Sequence, residues 1–297
     1  MLALHSVVIQ SPLLKDLLEV VLAGYPGVTV NLRRLEFSGT FAPLIHRWAE
    51  FKAGIQRLKD EADGEDADEQ AAKRVEHAEL LYKLLETEFE ETISSSQDMI
   101  SQGVITYDLL WTFFQPGCLV YTKLHGHDRV FKMTSQHYGT DSCRNPVFWL
   151  TCQFVDGGAS SFGTDKLNLK IYHYEGQPHP TILFLFPLVS MKLTLADCES
   201  TGTKIFSALT AMPFDRHPSM ESLREKLINR GAKVESFAGT HYRSYSGVAW
   251  RLDERDKMVK FSVKGRVVLD AYGWDQFNPN YAVLLSPLRV SPELRTV

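Results

Sequence analysis

The sequence predicts an α+β fold in which a helical N-terminal region packs on a mainly antiparallel β-sheet or partial barrel. Before residue 115, apolar residues recur at the three- and four-residue spacing of amphipathic helices. From about Gly117 onward, the pattern changes to short alternating runs separated by turn residues. Helices followed by strands are typical of the α+β class. We therefore divide the chain into a helical region, 1–115, and a β-rich region, 116–290.

The first elements are predicted to be a strand over 4–10 and a helix that follows it directly. The strand segment, LHSVVIQ, contains the β-branched residues that favour strands. The helix has Ser11 as its N-cap and Pro12 at its first position, where a missing N–H is tolerated. Gly24 is placed to end this helix.

Two further amphipathic helices are predicted over 43–61 and 70–93. The acidic stretch 60–70 between them has no bulky apolar residue, so we expect a mobile linker that buries too little surface to become ordered. Each of the two helices has an apolar stripe along one side, and two such helices joined by a linker indicate a helical hairpin. We interpret both stripes as facing the chain's own core; a partner-binding coiled coil is the alternative.

The β-rich region is predicted to contain two hairpins, with turns at 125–128 and 156–158. The continuous apolar run 181–189 predicts a strand covered on both faces. A helix over about 218–230 is expected to end at Gly231, since glycine is common just past a helix C-terminus. The last two strands are predicted over 241–251 and 257–270.

Composition argues against several classes of function. The net charge of -4 argues against a nucleic-acid-binding protein, which usually carries a basic excess. No apolar run reaches the roughly 18 residues of a membrane-spanning helix, so no membrane partner is predicted. The cysteines at 118, 143, 152 and 198 form no CxxC pair, so no metal site is predicted. Reduced cysteines fit an intracellular protein, cytoplasmic or nuclear.

Motifs for catalysis are also missing from the sequence. It contains no GxxxxGK[ST] phosphate-binding loop, no GxSxG nucleophile elbow and no HExxH zinc motif. His125 and His127 flank a turn glycine, and we interpret them as solvent-exposed turn residues rather than metal ligands. The sequence therefore predicts a protein that is not an enzyme and has no catalytic residues, cofactor or metal.

The candidate partner-binding surface lies in the segment GTHYRSYSGVAW. Gly239 permits a turn at positive φ, and the strand after it places His241, Arg243 and Tyr245 on one face. Tyrosine and arginine are favoured in protein interfaces. Tyrosines with an arginine between them also commonly cover the rim of a sheet, which is the alternative. A second alternative is an enzyme with an unrecognised site around His241, Tyr242 and Asp270.

Several long phrases of the sequence resemble one family. They are SPLLKDLLEVVLAGYPGV at 11–28, PLIHRW at 43–48, YDLLWTFFQPGCLVY at 107–121, PFDRHPSMESLREKLINRG at 213–231, GTHYRSYSGVAW at 239–250 and VKGRVVLDAYGWDQFNPN at 263–280. They resemble the domain of unknown function that precedes the ATPase core in fungal AAA-type ATPase-like proteins. The resemblance implies a non-catalytic accessory region that binds a protein partner or positions an ATPase assembly.

Two departures from that family limit what the resemblance implies. No ATPase module follows the domain before the final SPELRTV, so ATP hydrolysis is not carried over, and the module is expected to be supplied elsewhere. A truncated gene product without independent activity is the alternative. The segment 189–212 is an insertion relative to the family, either a surface loop or a retained intron. An intron-encoded segment should pack poorly, leave Cys198 without a role and be missing from a spliced transcript.

Overall fold

The structure is a computed structural model that describes residues 4–64, 69–124, 126–157, 162–174, 203–237, 239–252, 258–277 and 286–287. It confirms the α+β class, with helices and antiparallel strands. The chain forms two compact units. The first consists of Met1–Cys152 and Asn168–His217, and the second of Gln153–Leu167 and Pro218–Val297. The first unit thus combines the predicted helical region with much of the β-rich region.

The first elements follow the prediction closely. Strand β1 (Ser6–Ile9) pairs antiparallel with β2 (Leu35–Ser38), and helix α1 (Pro12–Val21) lies between them in the chain. The Ser11 hydroxyl accepts the backbone N–H of Leu14 at 3.3 Å, which satisfies one of the free donors at the helix start. Both the predicted N-cap and the predicted proline position are confirmed.

The predicted helix over 43–61 is two helices, α2 (Ala42–His46) and α3 (Trp48–Ala62), since Arg47 leaves helical geometry with φ -102° and ψ 27°. The next helix, α4 (Glu69–Ser101), extends eight residues beyond the predicted end at 93. Its last turns are polar, and the buried Ser96 hydroxyl donates to the carbonyl of Ile93 at 3.0 Å. Helix therefore occupies both ends of the acidic stretch 60–70, and residues 65–68 lie outside the described residues.

The helices of the first unit share one apolar core. The rings of Trp48 and Tyr82 stack at 4.7 Å between α3 and α4, and Lys59 pairs with Glu79 at 2.8 Å. The interpretation that both stripes face the chain's own core is confirmed. The most deeply buried members of this core are Leu18, Phe41, Leu44, Phe51, Ala78 and Leu85.

The largest sheet among the described residues has the strand order β12-β7-β6-β5-β4-β9. Its strands are β4 (Leu119–Leu124), β5 (His127–Thr140), β6 (Pro146–Gly157), β7 (Phe162–Tyr172), β9 (Ala211–Pro213) and β12 (Ser286–Pro287). The two predicted hairpins, β4–β5 and β6–β7, are confirmed as neighbouring strands. His127 is exposed at its hairpin, whereas His125 and the predicted strand 181–189 lie outside the described residues.

A short helix and a second pair of strands complete the first unit. Strand β3 (Val104–Thr106) pairs antiparallel with β8 (Thr203–Ile205). Single 3₁₀ turns cover Tyr107–Leu109, Phe206–Ala208 and Phe214–Arg216, and α5 is Leu110–Phe113. The ring of Phe114, the residue after α5, lies 5.9 Å from that of Phe148 in β6 and links helix and sheet.

The described end of the segment 189–212 is part of this unit. The ring of Phe206 stacks on that of Phe113 at 4.2 Å, and Ala211 and Met212 are buried in β9 beside β4. Poor packing, which a retained intron requires, is not observed at 203–212. The rest of the segment, including Cys198, lies outside the described residues, and the transcript prediction remains to be tested.

The second unit contains α6 (Met220–Glu235), β10 (His241–Leu252), β11 (Met258–Leu269) and α7 (Ala271–Phe277). The prediction that the helix ends at Gly231 is wrong, because α6 continues to Glu235. A glycine inside a helix costs only about 1 kcal/mol, and Ala232 and Lys233 after it favour helix. Gly239 has φ +87°, as the predicted turn requires. The last two strands are confirmed.

Candidate functional site

The candidate site is the ribbon formed by β10 and β11, which pair antiparallel along their whole length. Among the described residues, the two strands pair only with each other. Because side chains alternate along a strand, the ribbon has two faces. The Tyr245 face comprises His241, Arg243, Tyr245, Gly247, Ala249, Arg251, Val259, Phe261, Val263, Gly265, Val267 and Leu269. The Trp250 face comprises Tyr242, Ser244, Ser246, Val248, Trp250, Lys260, Ser262, Lys264, Arg266 and Val268.

The Tyr245 face carries the three residues that the sequence selected. Arg243 and Tyr245 are exposed and His241 is half-buried, all on one face as expected. Arg243 and Tyr245 donate hydrogen bonds within β10. The Tyr245 hydroxyl donates to the carbonyl of Val248 at 2.8 Å, and the Arg243 guanidinium donates to the carbonyl of Tyr242 at 3.1 Å. The ring of His241 lies 6.1 Å from that of Phe237.

Glycines explain how Tyr245 lies along the ribbon. A Cβ atom at Gly247 would lie 2.9 Å from the Tyr245 hydroxyl oxygen, so the phenol ring passes over a position that only glycine leaves open. Directly across the ribbon, Gly265 faces Tyr245 with φ +150°, which favours glycine. Tyr245 therefore packs against its own hairpin and keeps its hydroxyl satisfied there.

The Trp250 face is the more open of the two. All ten of its side chains are exposed, whereas Gly247, Ala249, Val263 and Val267 on the Tyr245 face are half-buried. Tyr242 is 75% exposed and Trp250 is 39% exposed. The Lys260 ammonium, from the residue opposite Trp250, lies 4.6 Å from the centroid of the indole ring. This cation–π contact holds the indole ring at the surface.

This face was not the one that the sequence predicted for binding, although the alternation of side chains along the strand implies it. The same strand that places Tyr245 on one side places Tyr242, Val248 and Trp250 on the other. Which side remains open depends on what packs nearby, and no strand pattern contains that information.

The three residues of the alternative enzyme site lie at the start of β10 and directly after β11. His241 and Tyr242 are neighbours in β10 and point to opposite faces of the ribbon. The Asp270 carboxylate accepts the backbone N–H of Gly273 at 2.9 Å and so caps the start of α7. The carboxylate that the enzyme hypothesis needs for acid–base work thus has a structural hydrogen bond.

Buried titratable groups in the first unit are held in their neutral forms. Burial raises the pKa of the Cys118 and Cys152 thiols to about 12 in each case, which leaves no thiolate for nucleophilic chemistry. Tyr138 is 41% exposed as a whole, but desolvation of its hydroxyl, which donates to the carbonyl of Tyr107 at 2.9 Å, raises its pKa. These groups support packing.

His46 joins the helices to the segment after β3. Its Nε2 atom lies 2.7 Å from the carbonyl oxygen of Trp111, so Nε2 carries the proton and donates. Its Nδ1 atom accepts the hydroxyl proton of Tyr25 at 2.7 Å. Burial lowers the pKa of His46, which keeps the ring neutral. The histidine has both nitrogens occupied within the fold.

Within the described ranges, no group of three or more His, Cys, Asp or Glu side chains is arranged to hold a metal ion. Helices in the same ranges include none with the length and apolar character needed to cross a bilayer.

One family model matches part of the chain. Residues 95–192 match the family model DUF7025, a domain of unknown function. The DUF7025 match covers about a third of the 297 residues and includes β3 to β7. The helices α1 to α3 and the β10–β11 ribbon lie outside it. No curated protein and no solved structure matches the chain.

Proposed function

We propose that this chain is a non-catalytic binding module that docks a protein partner on the Trp250 face of the β10–β11 ribbon. The observation that carries the proposal is that face itself, on which Tyr242, Val248, Trp250 and Val268 are all exposed. Aromatic residues at the surface are favoured anchors of protein interfaces.

The length of the ribbon supports the same conclusion. An isolated two-stranded hairpin is at best marginally stable in water, and each strand here runs for 12 residues. A partner that covers one face would bury the apolar side chains that the ribbon leaves in solvent. Burial of such surface contributes about 25 cal/mol for each Å² removed from water.

The resemblance to accessory regions of AAA-type ATPase-like proteins gives the proposal its setting. We propose that the module positions an ATPase assembly. The phrases that carry the resemblance include 239–250, which is the turn before β10 and most of β10 itself. The free thiols of Cys118, Cys143 and Cys152 support an intracellular setting, cytoplasmic or nuclear.

Partner capture with matched variants tests the proposal. The intact chain serves as bait, and recovered proteins are quantified by mass spectrometry for wild type, for V248S/W250S and for the control V20S/L80S. The control removes two exposed apolar side chains from helices of the first unit. Proteins that bind the ribbon should be recovered with wild type and control and lost with V248S/W250S.

The candidate residues of the Tyr245 face provide a second comparison. If that face is the contact, R243A/Y245A should lose the partners and V248S/W250S should keep them. Unchanged recovery with both double variants would remove the ribbon from consideration as a docking surface.

A further inference from the structure

The charge of the ribbon differs from that of the rest of the chain. Residues 241–252 and 258–269 contain five Lys and Arg residues, at 243, 251, 260, 264 and 266, and no Asp or Glu. The remaining residues hold 27 of the 32 basic side chains and all 36 acidic ones, a balance of -9. A net acidic protein thus concentrates positive charge on one element. Such segregation indicates a partner of opposite charge.

Three of the five cations lie on the open Trp250 face. Lys260 lies opposite Trp250, Lys264 opposite Ser246 and Arg266 opposite Ser244. Side chains on one face of a strand repeat every two residues, at about 7 Å. Lys264 and Arg266 are one repeat apart, and Lys260 and Lys264 are two repeats apart. An extended peptide with acidic residues at alternate positions presents its carboxylates with the same period.

The backbone of the ribbon supplies a second form of recognition. Each strand of a two-stranded ribbon has an outer edge, and among the described residues no third strand pairs with β10 or β11. Neither strand contains proline, so no backbone N–H is missing from the outer edge of either strand. In an antiparallel ribbon, alternate N–H and C=O groups point outward along that edge. An extended peptide satisfies them as an added strand.

We propose, building on the docking function above, that the partner segment is an acidic, extended peptide that adds to an edge of the ribbon and pairs with Lys260, Lys264 and Arg266. A second copy of the ribbon does not fit, because its own cations would face these three at close range. A single-stranded nucleic acid would use the cations and aromatic rings, but it leaves the outward backbone groups of the edge without partners. The acidic peptide satisfies both the cations and the outward backbone groups.

A direct binding measurement tests this inference on the intact chain. The probe is a fluorescent peptide of alternating glutamate and valine, as long as one strand of the ribbon, and binding is followed by anisotropy. A peptide with glutamine in place of glutamate should bind about tenfold more weakly or worse, since the charge pairs are lost. Added salt should weaken binding of the glutamate peptide much more than binding of the glutamine peptide. Methylation of alternate backbone nitrogens should also abolish binding, because it removes the strand-pairing donors.

Matched charge reversals locate the site. K260E/K264E/R266E should weaken binding of the glutamate peptide about tenfold or more. K52E/R57E/K83E makes the same change in net charge at exposed helical positions and should leave binding of this peptide unchanged. Equal loss in both variants would overturn the inference. So would tighter binding of an oligothymidine of matched length, or full binding of the methylated peptide. Partners that V248S/W250S loses but K260E/K264E/R266E keeps would overturn the acidic strand and leave the proposed function intact.

Discussion

The helical core and the β10–β11 ribbon place the same kinds of residue in opposite surroundings. In the helices, Phe51 and Leu85 are fully buried, and the apolar stripes of α1, α3 and α4 meet in one core. In the ribbon, Trp250 and Val248 lie in solvent on a face with no half-buried side chain. An amphipathic helix has one apolar stripe, which neighbouring helices can cover, but a two-stranded ribbon has two faces to cover. An apolar pattern in the sequence therefore marks a core in one region and a solvent-exposed face in the other.

The largest effect should come from truncating a core position of the helical region. Leu85→Ala removes a side chain that is 0% exposed and should lower the free energy of unfolding by about 3 kcal/mol, through lost burial and the cavity left behind. Leu84→Ala changes the neighbouring side chain, 43% exposed, and should cost less than about 1 kcal/mol. Urea denaturation of both variants measures the contrast. Equal losses of unfolding free energy in the two variants would contradict the placement of Leu85 in the core and Leu84 at the surface.

A medium effect should appear as a pH dependence of the first unit. Burial lowers the pKa of His46 in the folded state, so the unfolded chain takes up the proton first as the pH falls. Stability should be fully present above the ordinary histidine pKa of about 6.5 and fall below it, by at most about 1.4 kcal/mol per pH unit. His46→Gln should flatten this dependence in urea titrations at a series of pH values. His127→Gln, at an exposed position, should keep the wild-type slope; a flattened slope there would contradict the assignment to His46.

The smallest effect on stability should come from the ribbon. V248S/W250S removes side chains that are exposed already, so the free energy of unfolding should change by less than about 1 kcal/mol while partner recovery is lost. The measurement is urea denaturation of the same preparations that are used for partner capture. A loss as large as that of Leu85→Ala would mean that the Trp250 face supports the fold, and the contrast between the two regions would then disappear.

The helical region was predictable in detail because its signals are local. Ser11 and Pro12 identify the start of α1, and the spacing of Trp48, Phe51 and Ile55 identifies the buried side of α3. Two helix boundaries were not predicted from the sequence. Gly231 did not end α6, because a glycine permits an end without requiring one. The break at Arg47 between α2 and α3 has no glycine or proline to signal it.

By itself, the sequence determined the α+β class, most of the helices and strands, and the two-faced alternation of the last hairpin. These depend on contacts within a few residues of each other, which periodicity and capping residues record. Only the tertiary structure decided that both helical stripes share one core, that His46 bridges Tyr25 and Trp111, and that the Trp250 face is the more open of the two. Solvent exposure is set by what packs against a residue from distant parts of the chain, and a strand pattern with a period of two reads the same for either face.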